Sequence, residues 1–183
     1  MTYPLIGLLG AKQSGKSTAA QHLVDHHGFT RIRFADPLKE ILRVLGCTPA
    51  QIDGDEKEIP LERLCGKSPR NVMDLMGTEC GRRMIGEELW VNIVDGRLRE
   101  LLPRGPVVID DVRFENEAAL VRRLGGALWT IRRPSVEPVD LNAAYVTERL
   151  WAADDDTDAT LWNLSTPGEL FATVDHIMEV THA

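Results

Sequence analysis

Cysteine is scarce in this chain: Cys47, Cys65 and Cys80 are odd in number and show no C-x-x-C spacing. That excludes a disulfide framework and a cysteine-built zinc site as organising principles, and leaves free thiols of a reducing compartment as the expectation. Long apolar runs are lacking as well. No segment approaches the ~18 consecutive apolar residues of a membrane span, and no charged segment leads into a long apolar stretch as in a secretory leader. A soluble, cytoplasmic protein with no membrane partner is expected. Positive charge is also in deficit, with 21 Lys and Arg against 28 Asp and Glu and a net charge of −7. A broad basic face for direct nucleic-acid contact is therefore not expected, and any anionic ligand must be met by locally gathered arginines. Internal repeats, low-complexity segments and Ser-His-Asp or Cys-His arrangements are all missing. His22, His26 and His27 fall in one helical pattern and read as surface or packing residues.

What is present is concentrated near the N-terminus. Gly10, Ala11, Lys12, Gln13, Ser14, Gly15, Lys16 and Ser17, followed by Thr18, match G-x-x-x-x-G-K-[ST] in full. The apolar run 4–9 reads as a buried strand entering this loop, and 16–27 as the helix leaving it. Loop and helix N-terminus then direct backbone N–H groups at phosphate oxygens, Lys16 reaches the outer phosphates, and Ser17 ligates Mg²⁺. The stretch predicts a nucleoside triphosphate site, with ATP and Mg²⁺ as its ligands.

Further strands are read at 30–35, 106–109, 127–131 and 159–163, the last being the weakest. Helical patterns fill 37–45, 69–84, 87–102, 115–124 and 167–180, several of them stopped by glycine. Strands alternating with helices predict a parallel sheet covered on both faces. The expected fold is α/β: a P-loop NTPase-type three-layer arrangement with a five-stranded parallel sheet and a helical acceptor-binding insertion. By length the chain reads as a single domain, 1–183, with the helical region at 36–104 and a lid-like segment at 132–158. Within the insertion, 48–66 is polar and reads as a loop with at most short helices. The acidic run Asp154-Asp155-Asp156 reads as a solvated loop.

Several side chains gather at the sheet edge where such folds bind ligands. The third strand ends in Asp110 and Asp111, a Walker B-like placement for a Mg²⁺ ligand, of which one is expected to serve because neighbouring side chains on a strand point to opposite faces. Arg113 follows on the same edge. The second strand ends at Phe34-Ala35-Asp36-Pro37. Asp36 suits a helix N-cap before Pro37, and equally a place beside the acceptor or the metal; Phe34 can stack on a base or pack in the core. Ser68 and Pro69 start a helix on which Arg70, Asp74, Gly77, Thr78 and Gly81 share one face. Glycines inside a helix cost about 1 kcal/mol each relative to alanine, so Gly77 and Gly81 imply close approach by another backbone or a ligand. Arg70 and Arg82 can clamp an acceptor phosphate. Arg132 and Arg133 follow the fourth strand, where they can neutralise the transferred group or stack on adenine, with Tyr145 to Arg149 in the same cover.

With these pieces in order, the chain resembles a bacteriophage deoxynucleoside monophosphate kinase. The resemblance is carried by Gly10 to Thr18, Phe34-Ala35-Asp36-Pro37-Leu38-Lys39-Glu40, Arg70 with Gly77-Thr78-Glu79 and Gly81-Arg82, Trp90, Asp111-Val112-Arg113-Phe114 with Asn116-Glu117, and Arg132 to Pro134. It implies ATP·Mg²⁺-dependent phosphorylation of a deoxynucleoside monophosphate, often by a homodimer. It also implies an acceptor site drawn from Phe34, Asp36, Lys39, Arg70, Asp74, Glu79, Arg82, Trp90 and Arg113, with Lys16, Asp36, Arg113 and Arg132 as catalytic groups. Two positions depart from the family pattern: Asp74 stands where Gln is expected, and Tyr145-Val146-Thr147-Glu148 matches a His-x-Ser-Glu pattern only at Glu148 and loosely at Thr147. Other readings of the same scaffold are another small-molecule kinase, such as a dephospho-coenzyme A kinase, and a non-catalytic nucleotide-dependent switch.

Overall fold

The computed structural model describes residues 3–134, 136 and 157–182. Its organising element is a five-stranded, all-parallel sheet. The strands are β1 (Leu5–Leu9), β2 (Thr30–Ile32), β3 (Val107–Ile109), β4 (Ala127–Arg132) and β5 (Ala159–Trp162). Their order is β2-β3-β1-β4-β5, which places β1, and the loop it feeds, at the centre. Register aligns Gly7 with Ile109 on one side and with Leu128 on the other. Continuous apolar strands behave this way because both faces must be covered. All five residues of β1 are buried.

Helix α1 (Lys16–His27) and the C-terminal helix α7 (Pro167–His182) supply one cover. Ile6, Leu8, Trp129, Ile131 and Leu161 of the sheet meet Ala20 and Leu23 of α1 and Leu170, Val174 and Met178 of α7. The opposite face takes α6 (Glu115–Arg123), whose Val121 comes so near β1 that a Cβ at Gly7 would lie 3.1 Å from its methyl.

Two compact units divide the chain: Met1–Arg33 with Asp95–Ala183, which carries the sheet, and Phe34–Val94. The second contains α2 (Asp36–Val44), the short α3 (Pro49–Ile52), two 3₁₀ turns at Asp55–Glu58 and Glu62–Leu64, and α4 (Pro69–Asp74). Leu42, Cys47, Ile52 and Leu64 form its small core, and the stretch 48–66, read as a loop with at most short helices, holds α3 and the two 3₁₀ turns. Thr48 and Gln51 close a capping box at α3. The helix boundary after β2 falls one residue early. Ala35 occupies the cap position without a side-chain bond, and Asp36 is the first residue of α2 rather than its cap.

The pattern at 69–84 predicts one helix, and its pitch changes midway. Ser68 Oγ accepts from the Asn71 N–H to start α4, but after Asp74 the eleven residues Leu75–Ile85 wind as a π-helix. There α5 (Leu89–Leu101) brings Trp90 against it. A Cβ at Gly81 would stand 2.5 Å from the Trp90 ring, and the indole Nε1–H donates to Gly77 O at 2.8 Å. The close approach signalled by the two glycines is thus made at Gly81 by an indole of the same unit. Among the described residues, no helix is long and apolar enough to cross a membrane.

Candidate active site

The loop between β1 and α1 depends on backbone that only glycine adopts easily. Gly10 has φ +144°, and a Cβ there would fall 2.4 Å from Ile131 O. Gly15 has φ +113° and caps α1. Gln13 is held at φ 69°, a left-handed conformation uncommon outside glycine and a mark of a shaped functional loop. Lys16 folds inward: its Nζ donates to Gly10 O at 2.5 Å and Ala11 O at 2.6 Å. Burial and then the Arg113 guanidinium lower its pKa from 10.5 to about 8, against the opposing pull of Asp110 and Asp111.

Directly after the lysine, Ser17 Oγ donates to Asp110 Oδ2 at 2.9 Å. Asp110 is 4% exposed and is also held by Arg31 and by Arg33 Nε, the latter at 2.9 Å. Burial pushes its carboxyl up, but the hydrogen bond and charge of Arg31, with Arg33 and Ser17 adding to them, hold it below the usual carboxylate range. Of the two acids read as metal ligands, Asp110 is the one bonded to Ser17; Asp111 is half-buried one residue further on. Arg113 is fixed through its backbone, its N–H donating to Glu117 Oε2 at 2.7 Å, and Phe114 N–H shares the same oxygen. The carboxylate of Glu117, itself 3% exposed, therefore sets the turn that presents Arg113.

The residues present fit a bound triphosphate with Mg²⁺. Ser14 is fully buried, yet its Oγ has no hydrogen-bond partner among the described residues, a costly arrangement that a phosphate oxygen would relieve. Ser17, Asp110 and Asp111 offer only oxygen, the donor set of a hard dication. Beside the loop lies a cavity of about 250 Å³ whose walls include Lys16, Ser17, Thr18, Arg133 and Asn163.

Part of that wall escapes sequence reasoning. Asn163, just past β5, donates from Nδ2 to Ser14 O at 2.8 Å while its N–H bonds Arg132 O at 2.8 Å. Pro167 and Leu170, from the start of α7, complete the same side. The only signal available was position, since the segment follows a strand at the edge where parallel sheets bind ligands. Arg132 lies over the Trp162 ring, 5.9 Å from its centroid, and Arg133 reaches Gln13 O at 3.4 Å. Lys12 belongs to the loop, as read. Tyr145 to Arg149 and most of the lid-like segment 132–158 lie outside the described residues.

The second unit holds the remaining acceptor-site expectations, each already engaged. Lys39, nearly buried, pairs with Asp53 at 2.6 Å. Arg70 bonds Asp74 at 3.2 Å, Arg83 bonds Glu79 at 2.8 Å, and Arg82 donates to Glu87 O at 3.2 Å. Phe34 and Trp90 are buried, at 5% and 7% exposure, and Asp36 stands in the first turn of α2.

No protein-family model matches the chain. Among curated proteins, one of Acanthamoeba polyphaga mimivirus named as a deoxynucleotide monophosphate kinase is 39% identical over 158 residues, covering 79% of this chain and 82% of that protein. The chain belongs to the deoxynucleotide monophosphate kinase family. A deoxynucleoside-5′-monophosphate kinase of Escherichia phage T5 is 39% identical over 74 residues, which is 40% of this chain and 29% of the phage protein. Solved structures agree on the fold. A dephospho-CoA kinase from Campylobacter jejuni superposes with TM-score 0.52 at 12% identity, covering 97% of this chain and 96% of that one. A shikimate kinase from Aquifex aeolicus gives 0.53 at 17% identity, covering 97% and 98%. The kinase fold expected from the sequence is the fold observed.

Proposed function

We propose that this member of the family transfers the γ-phosphoryl group of ATP to the phosphate of a deoxynucleoside monophosphate, giving the deoxynucleoside diphosphate and ADP. One observation supports this above the others: the glycine loop encloses Lys16 and delivers Ser17 to the buried Asp110 at the end of β3. The step forms a bond between an acceptor phosphate oxygen and the γ-phosphorus and breaks the bond to the β,γ-bridging oxygen, whose electron pair leaves with ADP. Because the acceptor oxygen is already anionic, no general base is needed. Catalysis reduces to positioning and to neutralising charge.

Each group has a place in that scheme. Backbone N–H groups of 10–17 cradle the donor phosphates, and Lys16 trades the carbonyls of Gly10 and Ala11 for phosphate oxygens. Ser17, with Asp110 or Asp111, would hold Mg²⁺, which would supply neutralisation of the donor's phosphate charge. Arg113 acts electrostatically on Lys16 and is suited to the transferred group. Arg132 and Arg133 are suited to the donor nucleotide, whereas Arg70 and Arg82 are the candidates for the acceptor phosphate. Asp74, in place of the family's Gln, is the candidate for an altered base preference.

The test is an acceptor panel. Purified protein with ATP and Mg²⁺ should convert one or more deoxynucleoside monophosphates to diphosphates and leave dephospho-coenzyme A untouched. Turnover of dephospho-coenzyme A alone would replace this reading with the rival kinase. ATP binding without transfer to any acceptor would favour the switch.

A further inference from the structure

On α1, beyond its first turn, two imidazoles converge on one carboxylate. His22 Nε2 lies 2.7 Å and His27 Nε2 2.8 Å from Asp175 Oδ1 on α7. The three ligand atoms all fall within 4.8 Å of one another, and no other group of three His, Cys, Asp or Glu among the described residues does so. We propose that His22, His27 and Asp175 form a binding site for a divalent transition-metal ion of the zinc type, distinct from the nucleotide's Mg²⁺.

The chemistry selects the ion. Two imidazole nitrogens and one carboxylate oxygen suit Zn²⁺ and its neighbours, which bind nitrogen at about 2.0–2.1 Å and oxygen at about 2.0–2.2 Å. Mg²⁺ prefers oxygen alone and keeps its water. An ionised carboxylate only accepts, so both Nε2 atoms carry their proton when Asp175 is the sole partner. For neutral rings, metal binding needs only a change of tautomer, with the proton moving to Nδ1 and none lost overall. A modest opening of the two N···O distances, through the half-exposed Asp175, admits the ion.

The setting is preformed on the histidine side. The His22 side chain is only 7% exposed and its ring stacks on Phe171 with centroids 4.3 Å apart and planes 6° from parallel. That fixes where its nitrogen points, as packing around a metal-ligating imidazole must. His22 also lines a cavity of about 500 Å³ with Ser17, Gln21, Asp25, His26 and Arg31. The His27 side chain is 20% exposed and Asp175 43%, so the outer side of the site is reachable from solvent. Bound metal would cross-link the helix that follows the nucleotide loop to the helix that lines the nucleotide cavity.

The experiment uses the whole chain, freed of metal by chelation, with Zn²⁺ and Co²⁺ as probes and no nucleotide. One Zn²⁺ per chain should bind and raise the melting temperature, and Mg²⁺ should not substitute. Co²⁺ should give the d–d absorption of a nitrogen–oxygen site without a thiolate charge-transfer band, which separates it from Cys65 and Cys80. His27→Ala and Asp175→Asn, both at the exposed side, should weaken Zn²⁺ by more than the ~10–100-fold that loss of a second-shell partner brings. Asp175→Asn keeps the side-chain shape, and its unaltered fold in the absence of metal serves as control. Failure to bind Zn²⁺, a thiolate band with Co²⁺, or unchanged affinity in both variants would overturn the proposal. None of these results depends on phosphoryl transfer, so the kinase reading stands or falls separately.

Discussion

Ser17 Oγ and Asp110 Oδ2 meet across 2.9 Å, joining the first turn of α1 to the end of β3. Parallel pairing of β1 with β3 brings these elements together, because both strands present their C-terminal ends to the same edge. The carboxylate is buried and would be costly alone, so Arg31 and Arg33 from the neighbouring β2 side compensate it. A charged network of this kind is sensitive to loss of either partner. Asp110→Asn keeps the shape but releases the arginines from a buried anion. We expect it to lower the melting temperature and to abolish most turnover, and a variant with near-normal values of both would contradict the role given to Asp110.

Lys16→Ala removes the one ammonium that the glycine loop encloses. Loss of a preorganised charge at a transferring phosphoryl group costs about 10²–10³ in kcat. The fold should persist, since Lys16 bonds only to loop carbonyls. Steady-state kinetics beside a far-ultraviolet circular dichroism spectrum measure both expectations.

The free loop depresses Lys16 to about 8 from 10.5. A bound triphosphate adds negative charge and raises it again, so binding takes up a proton wherever the free lysine is neutral. Below pH 8 the lysine is already charged and uptake is small. Above pH 8 uptake grows and ATP affinity falls with rising pH. Calorimetric titrations in buffers of different ionisation enthalpy read the uptake directly, and Lys16→Arg should eliminate it.

Asn163→Ala strips the Ser14 carbonyl of its buried donor, a loss of about 1–3 kcal/mol. The loop that Asn163 braces is the one proposed to bind the donor nucleotide, so KM for ATP should rise more than KM for the monophosphate. An equal rise in both would assign Asn163 to general stability.

Gly81→Ala forces a methyl to within 2.5 Å of the Trp90 ring. Overpacking of this kind typically costs about 1–3 kcal/mol, visible as a lower denaturation midpoint. A fully neutral alanine would mean that the π-helical winding does not depend on that contact.

How much of this was legible beforehand follows from what kind of information each feature needs. Most strands and helices were, because short apolar runs, glycine stops and the loop motif are local signals, although the strand read at 30–35 ends at Ile32. The acid at the end of β3 was visible as well, but not its partners: Arg31 reaches it through the β2–β3 pairing, which no local pattern encodes. Winding at Leu75–Ile85 was missed for a related reason. Gly77 and Gly81 announce close neighbours without naming them: at Gly77 the neighbour is Leu38, and at Gly81 it is Trp90, which the resemblance places among acceptor-site residues. Asn163 was invisible because its value lies in one hydrogen bond to a backbone carbonyl 149 positions away. His22 and His27 read as surface or packing residues, and only the fold brings Asp175 of α7 to them.

The most direct measurement follows the phosphorus. With ATP labelled at the γ-position and a deoxynucleoside monophosphate, the label should appear in the terminal phosphate of the deoxynucleoside diphosphate, with one ADP formed for each. Label released only as inorganic phosphate, at the same rate with and without acceptor, would contradict the assignment.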